Sequence, residues 1–456
     1  MIFASKIKEL FNIESAISAK MEAAVTTGIN IYKGEPDWID KDDNIRTINF
    51  AKSICSEVAR LATLATKITI DGSARAEYLQ KVIDKSYFKI REWVEYACAY
   101  GAVIIKPSDN GIDLFLPDKF LITRYDGDTV TGVVFIYQEK VDEKYYTRFE
   151  YHDYVDEENY RIYNRCCVGA SFNSLSEDIE IEKTPWNGLL EEANIVGMEK
   201  PAFGVLRTPH ANNIDINSAV SLPIFSEAVE ELEDLDIAYS RNAKEIYDSK
   251  RILLLDSDKM FESGVPLKDY QKNFESNRRA MGLPDMVKNV FGNGRDDFYQ
   301  EINPNLNTDT RLSGINALLS QIGYKVGFSN GYFVFNENRG IQTATGVEAD
   351  QQRTIQFIKD VRDKLEDCLK DVINGLNMFA NTYSLAPNGN YEVVFDFGDI
   401  TYNREEDRIR WWGYVTQGKV PAWIYFVKFE GMSEEDAKAM VAEAQPKEPT
   451  LFGGEE

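Results

Sequence analysis

The sequence predicts an α+β fold, and three observations carry that prediction. Apolar residues recur at spacings of three and four across residues 45–67, 223–249 and 344–382, the period of amphipathic helices. Between 101 and 182 the chain changes to β-branched and aromatic runs broken by Asp-Asn-Gly, Asp-Gly-Asp and Asp-Glu-Glu-Asn turns, the pattern of an antiparallel sheet. A Pro/Gly-punctuated insert at 251–303 then separates two helical stretches.

In chain order, Ile7, Leu10, Phe11 and Ala16 give the N-terminus an amphipathic, helical arm with one apolar edge. Residues 45–67 read as a helix burying Ile48, Ala51, Ile54, Cys55, Val58 and Leu61, and 75–100 as two helical stretches separated near Ser86. The runs AVIIKP, IDLFLP, FLITRYD, TGVVFIYQEK, KYYTRFEYHDYV and YRIYNRCCV follow as strands. Pro223 suits a first helical turn, so a helix is expected from there to about Ser249. It is acid-rich early, with Glu227, Glu230, Glu231, Glu233, Asp234 and Asp236 expected on its surface, and carries Lys244 and Lys250 late, a polarity that also suits the helix dipole. A strand near RILLLD, a mixed turn-rich segment and a short strand near Phe298–Ile302 come next, then a returning helix at 309–326. The loop from Gly327 to Gly340 precedes the longest helical pattern, 344–382, in which Gly375 marks a possible bend. The strand YEVVFDF, the segment NREEDRIRWWGYVTQG and a final helix capped through Ser433 in SEED complete the chain, with a flexible tail from QPKEPT onward.

Composition limits function. The chain has 456 residues, 43% hydrophobic, enough to bury one large or several smaller cores. With 51 basic against 75 acidic residues, the net charge of -24 argues against tight duplex binding, which needs local basic excess to neutralise phosphates. Five scattered cysteines make no disulfide framework or CxxC clip, and two histidines leave little for a His-rich metal site. No uninterrupted apolar run is long enough to span a bilayer, so neither export nor membrane insertion is expected, and folding in a reducing cytoplasm is.

Three segments carry a more specific signal: PHANNIDIN (Pro209 to Asn217), NPNLNTDTR (Asn303 to Arg311) and QTATGVEADQQ (Gln342 to Gln352). With YTRFEYHDYV followed by YRIYNR, they resemble the phage portal protein family, in the branch found in siphophages of Gram-positive bacteria. The resemblance implies a portal fold: an N-terminal helical arm and wing at 1–100, a β-rich wing at 101–221, a stem helix at 222–250 and a small α/β clip at 251–306. It further implies a returning stem helix at 307–326, a tunnel loop at 327–343, a long wing helix with its strand at 344–400, and a short helical crown with tail at 401–456. By the same resemblance, Asn336, Glu337, Asn338, Arg339, Phe333 and Phe335 belong to the tunnel loop that meets DNA. Packing of Phe333 and Phe335 on the wing is the alternative for those two rings. Glu227, Glu230, Glu231 and Asp234 become an acidic stem, and Arg278, Arg279, Lys288 and Arg295 belong to the clip. The implied partners are further copies of the chain in a ring, a dodecamer in the family, the terminase large subunit, major capsid and scaffolding proteins, a head-to-tail connector, and double-stranded DNA passing without sequence specificity. No membrane and no cofactor are implied, and the implied location is the capsid portal vertex, reached from the host cytoplasm during assembly.

Catalytic readings find less in the residues. The Gly327–Gly340 stretch lacks the GKS or GKT of a phosphate loop. Asp396 and Asp399 at a strand exit could hold Mg²⁺, the basis of the alternative, a metal-dependent nucleic-acid-processing enzyme using acidic residues. His152 and His210 stand beside no sequence-evident nucleophile. The expectation is a protein that is not an enzyme, with no catalytic and no metal-ligating residues.

Overall fold

The computed structural model describes residues 3–39, 45–109, 111–175, 177–248, 252–256, 287–290, 299–302, 307–335, 344–398, 404–430 and 432–444. The chain divides into two compact units, Met1–Asp396 and Phe397–Glu456.

The first unit is α+β, with helices and mainly antiparallel sheets. It opens with α1 (Ala4–Phe11), α2 (Ala19–Lys33), α3 (Phe50–Ala62), α4 (Ala74–Ser86) and α5 (Ile90–Tyr100). A 3₁₀ turn, Tyr87–Lys89, separates α4 from α5, where the sequence places its break. α3 starts later than the apolar spacing suggests, because Asn49 takes a left-handed conformation and caps it, its side chain accepting from the Lys52 N–H at 3.4 Å. Ile48 therefore lies outside the helix, only partly buried.

Strand β1 (Lys67–Asp71), which local pattern does not announce, pairs antiparallel with β14 (Glu392–Asp396) near the other end of the unit. Its outer edge is closed by a side chain: the Ile70 N–H donates to Gln80 Oε1 at 2.7 Å, and Gln80 Nε2 donates to the Ile68 carbonyl at 3.1 Å. A glutamine amide thus stands in for a third strand.

The six anticipated strands are present as β2 (Ala102–Ser108), β3 (Gly111–Phe115), β4 (Phe120–Asp126), β5 (Thr129–Val141), β6 (Lys144–Asp156) and β7 (Asn159–Gly169). Short strands β8 (Glu177–Ile179), β9 (Glu192–Ile195) and β10 (Gly204–Arg207) complete the region. One sheet runs β4-β5-β6-β7-β8 with β9 also on β7, and a second runs β10-β2-β3. α1 packs Phe3 and Ile7 against Val134, Ile136, Phe149 and Cys167 on one face of the larger sheet. The N-terminal arm therefore buries its apolar edge on its own subunit rather than leaving it for another.

Helix α6 spans Val229–Asp248, followed by β11 (Ile252–Asp256), β12 (Val287–Val290), β13 (Tyr299–Ile302), α7 (Thr308–Val326) and α8 (Ala344–Thr382). β11 is the central strand of its sheet, parallel to β12 and antiparallel to β13. Pro223 does not open α6. It packs on Gly28, where a Cβ would meet its Cγ at 2.4 Å, and the next N–H, of Ile224, donates to the Cys98 carbonyl at 3.0 Å. The chain turns through Ser226–Ala228 before the helix begins, so α6 is about 30 Å long at 1.5 Å per residue.

The 39 residues of α8 run about 58 Å and bury Ile358, Val361, Leu365, Leu369, Val372 and Leu376. Gly375 is inside this single helix and serves close approach: a Cβ there would lie 2.8 Å from the Ala202 carbonyl oxygen, and one at Gly204 2.4 Å from that of Cys368. Two buried arginines tie helix ends to distant backbone. Arg362 on α8 donates to the carbonyls of Ala62 (2.9 Å), Leu61 (3.0 Å) and Leu64 (3.2 Å) at and just past the end of α3, while Arg75, in the first turn of α4, donates to those of Asn377, Ala386 and Pro387.

The second unit contains α9 (Arg404–Thr416), α10 (Ala422–Glu430) and α11 (Glu434–Ala444). Tyr425 and Phe429 are its buried rings, met by Trp412 and Trp411, and Arg408 Nε donates to the Tyr425 hydroxyl at 2.8 Å. Ser433 caps α11 as its sequence suggests, accepting from the Asp436 N–H at 3.1 Å.

Candidate functional site

α6 and α7 form an antiparallel pair, with the start of one beside the end of the other. Lys325 makes an ion pair with Glu231 at 2.5 Å and donates to the Glu227 carbonyl at 2.8 Å, and at the opposite end Arg311 pairs with Glu245. Leu232 and Leu235 of α6 and Ile315, Leu319 and Ile322 of α7 are buried. The apolar stripe of α6 stays covered only this far, since Tyr239 and Ile246 are 40% and 52% exposed.

The four acidic candidates of α6 and the turn before it separate into two kinds. Glu227, Glu230 and Asp234 are exposed, whereas Glu231 is held against α7 by Lys325 and by Gln321 Nε2 at 3.0 Å. Asp236, expected on the surface, is buried. Its carboxylate accepts from Trp38 Nε1 and the Ile48 N–H, each at 2.9 Å. Burial raises its pKa against these hydrogen bonds. One helical turn later Ser240 Oγ accepts from the Arg46 N–H at 2.8 Å, so the extended chain before α3 is strapped along α6.

The segment after α7 is packed rather than open. Gly327 adopts φ 118 and ends the helix, with a Cβ there only 2.8 Å from the Phe357 ring. Phe333 meets Phe328, Tyr332 and Phe50 edge-on at centroid distances of 4.7, 4.9 and 5.2 Å, and the Tyr332 hydroxyl donates to Glu57. Phe333 thus occupies a wall of the subunit's own aromatic cluster, while Phe335 is 49% exposed, its backbone held at both polar atoms by Asn316 at 2.9 and 3.0 Å. Asn336, Glu337, Asn338 and Arg339 lie outside the described residues, as do Arg278, Arg279, Arg295 and Asp399; Lys288 is on β12, opposite Leu254.

A cleft of about 690 Å³ opens between the 209–210 segment, the end of α7 and α8. His210 stacks on Phe357 at 5.3 Å, and the Arg353 guanidinium lies 3.9 Å over the Tyr324 ring while donating to that residue's carbonyl. The start of the PHANNIDIN segment and the residue following QTATGVEADQQ therefore meet here. Burial lowers the His210 pKa.

A buried ionic cluster is the feature that sequence reading missed. β6 alternates Arg148, Glu150 and His152 with Phe149, Tyr151 and Asp153, which suggests one polar face toward water. The structure buries both faces at this point: α1 covers the apolar face, and Lys106 of β2 reaches in to Glu150 from the other side. Glu150 also pairs with Arg148 at 3.0 Å and accepts from His152 Nε2 at 2.7 Å. The Tyr160 oxygen accepts from the Ala202 N–H at 3.1 Å, leaving its hydroxyl proton to donate to His152 Nδ1 at 2.5 Å, which assigns the neutral Nε2–H tautomer. Burial lowers the His152 pKa. Burial would raise that of Glu150, but Lys106, the His152 hydrogen bond and Arg148 outweigh it and hold the carboxyl well below its ordinary range. The one signal in the sequence was Lys106, a lone cation in the apolar run AVIIKP.

Asp396 sits opposite Lys67 in the β1–β14 pair. Among the described residues no group of three or more His, Cys, Asp or Glu is placed to hold a metal ion, and no helix is long and apolar enough to cross a membrane.

No protein-family model matches the chain, and no curated protein matches it. Among solved structures, it aligns with a chain from the virion of a native gene transfer agent particle at 8% identity and a TM-score of 0.43, over 93% of this chain and 94% of the other. A likeness this distant bears on neither activity nor assembly.

Proposed function

We propose that the chain is a phage portal protein, forming a ring at one capsid vertex through which DNA is packaged and ejected. The observation that carries the reading is the order of elements between residues 229 and 382: α6, a small mixed sheet, an antiparallel return through α7, a short glycine-bounded segment, and the 39-residue α8. A stem, clip, returning stem, tunnel loop and long wing helix occur in this order in portals, and the quoted sequence segments fall at the matching places.

In this reading α6 and α7 line the channel, and the exposed carboxylates Glu227, Glu230 and Asp234 keep a backbone bearing one negative charge per about 1.7 Å from adhering. Glu231 instead locks the two stem helices together. The segment containing Asn336–Arg339 reaches the duplex, with Phe333 anchoring its base in the wing. The clip, with Arg278, Arg279, Lys288 and Arg295, receives the connector, and the terminase large subunit supplies ATP hydrolysis and DNA cutting, so no catalytic step is assigned to this chain. Copies of the chain close into a ring, a dodecamer in the assembled capsid built with major capsid and scaffolding proteins.

Electron microscopy of the purified full chain tests this directly. Rings with a central channel are expected; a monomer at every protein and salt concentration, by imaging and mass photometry, would overturn it.

A further inference from the structure

The turn joining α4 to α5 combines exposed aromatic rings with a group of cations. Phe88 is 75% exposed and Tyr87 43% exposed, and Lys81, Lys85, Lys89 and Arg91 surround them, all exposed. Among the described residues none of these four cations makes an ion pair, although Arg91 is near enough to Glu57 to lower its carboxyl pKa. The acids along the same stretch are Glu77, one turn before Lys81, Asp84, which already accepts from Gln80 at 2.7 Å, and Glu92, which accepts from the Tyr96 hydroxyl at 3.1 Å, so the positive excess is centred on Lys85 and Lys89 beside the ring. A protruding ring inside a cationic rim has the composition of a protein-binding anchor, apolar at its centre and polar at its margin.

A surface of opposite character lies at the tip of the larger sheet. The β6–β7 turn is joined to the residues after β9 by the Gly197 N–H, which donates to the Glu157 carbonyl at 2.8 Å, and by the Tyr154 hydroxyl, which donates to that of Glu199 at 2.7 Å. This brings Val155 (59% exposed) and Val196 (67% exposed) onto one tip with Glu157, Glu158 and Glu199. Among the described residues no cation pairs with the Glu157 or Glu158 carboxylate. The tip is apolar at its centre and acidic at its margin, the complement of the Phe88 turn in both respects.

We propose that these two surfaces bind each other between copies of the chain: the Phe88 turn of one copy docks on the β6–β7 tip of the next. Two different patches meeting head to tail make a heterologous contact, which repeats from copy to copy and closes when the rotation allows. Opposite charge at the rims selects the register and excludes like-to-like pairing of two acidic tips. The inference rests on the ring reading and adds to it which surfaces meet. Duplex DNA is the other polyanion that a basic turn could meet, but four cations around a projecting phenylalanine offer DNA a small footprint and an apolar anchor it does not need.

The experiment is a charge exchange on the full chain, read by mass photometry across a concentration series. Lys85→Glu/Lys89→Glu and Glu157→Lys/Glu158→Lys should each raise the subunit concentration for half-assembly by at least about tenfold, and an equimolar mixture of the two variants should recover assembly by alternation, because each turn then meets a tip of opposite charge. Combining all four substitutions in one chain should return assembly to near the wild-type value, because each contact then pairs reversed charges. Phe88→Ser should weaken assembly with the circular dichroism spectrum unchanged. If wild type assembles but the one-sided variants assemble equally well, or the four-fold variant is not rescued, this contact is wrong while the ring stands. Intact assembly with lost duplex binding in Lys85→Glu/Lys89→Glu assigns the turn to DNA and also overturns the proposal. A wild type that never assembles overturns the ring itself.

Discussion

Replacing Glu150 by glutamine removes the carboxylate that pairs with two cations in a buried site. Lys106 and Arg148 are 8% and 6% exposed, and Glu150 contacts both, with Arg148 at 3.0 Å. Glutamine keeps the shape and one acceptor oxygen, but leaves both cations buried without a counter-charge. Breaking such a pair costs about 3–5 kcal/mol, mostly the desolvation of the charge left behind. Lys106→Met in the same chain should recover part of that loss, since Arg148 then remains the single buried cation and keeps Asn164 Oδ1 at 3.3 Å as an acceptor. The double variant should therefore be more stable than Glu150→Gln alone by roughly 1–2 kcal/mol, a coupling that a double-mutant cycle isolates. The assay is guanidinium unfolding of the full chain, with hydrogen exchange in β5, β6 and β7 to locate the loss. A cost below about 1 kcal/mol for Glu150→Gln, or a further loss on adding Lys106→Met, would show that the cluster is not held by this carboxylate.

Three other outcomes follow from the same geometry. The folded pKa of His152 lies below its ordinary 6.5, so the unfolded chain takes up the proton first: the stability tied to this group is complete above about pH 6.5 and falls as pH drops toward the folded value, by at most about 1.4 kcal/mol per unit. His152→Gln should flatten that part of a pH series of unfolding midpoints, and an unchanged slope would refute the assignment. Glu230→Lys/Asp234→Lys should leave the subunit's unfolding midpoint within about 0.5 kcal/mol of wild type and slow DNA packaging, with recovery at higher salt, whereas Glu231→Lys should also destabilise the α6–α7 pair by setting two lysines together; packaging rates and midpoints measured side by side separate the two. Phe333→Ala should cost about 1–3 kcal/mol by removing a half-buried ring from the cluster with Phe50, Phe328 and Tyr332, while glycine replacement of Asn336–Arg339 should spare folding and assembly and reduce packaged DNA length; loss of rings in the glycine variant would make that segment an assembly element.

What the sequence determined by itself is the part of the fold written in short-range period. The six strands from Ala102 to Gly169 and the whole of α8 stand where alternation and three-four spacing place them, because a strand or helix with one buried stripe repeats its apolar residues at its own period. Turn chemistry such as Asp-Gly and the Ser433 cap is equally local. Tertiary structure alone decided which polar residues go inside. Asp236 looked like one more acid on a solvated helix until Trp38 and the Ile48 N–H closed over it, and the burial of Arg148, Glu150 and His152 on one face of β6 depends on Lys106 arriving from another strand. The pairing of β1 with β14 and the grip of Arg362 on the end of α3 are likewise contacts between distant segments. A buried charge is tolerated only when its partners are in place, and those partners come from elsewhere in the chain, so no window of neighbouring residues contains the reason for its burial.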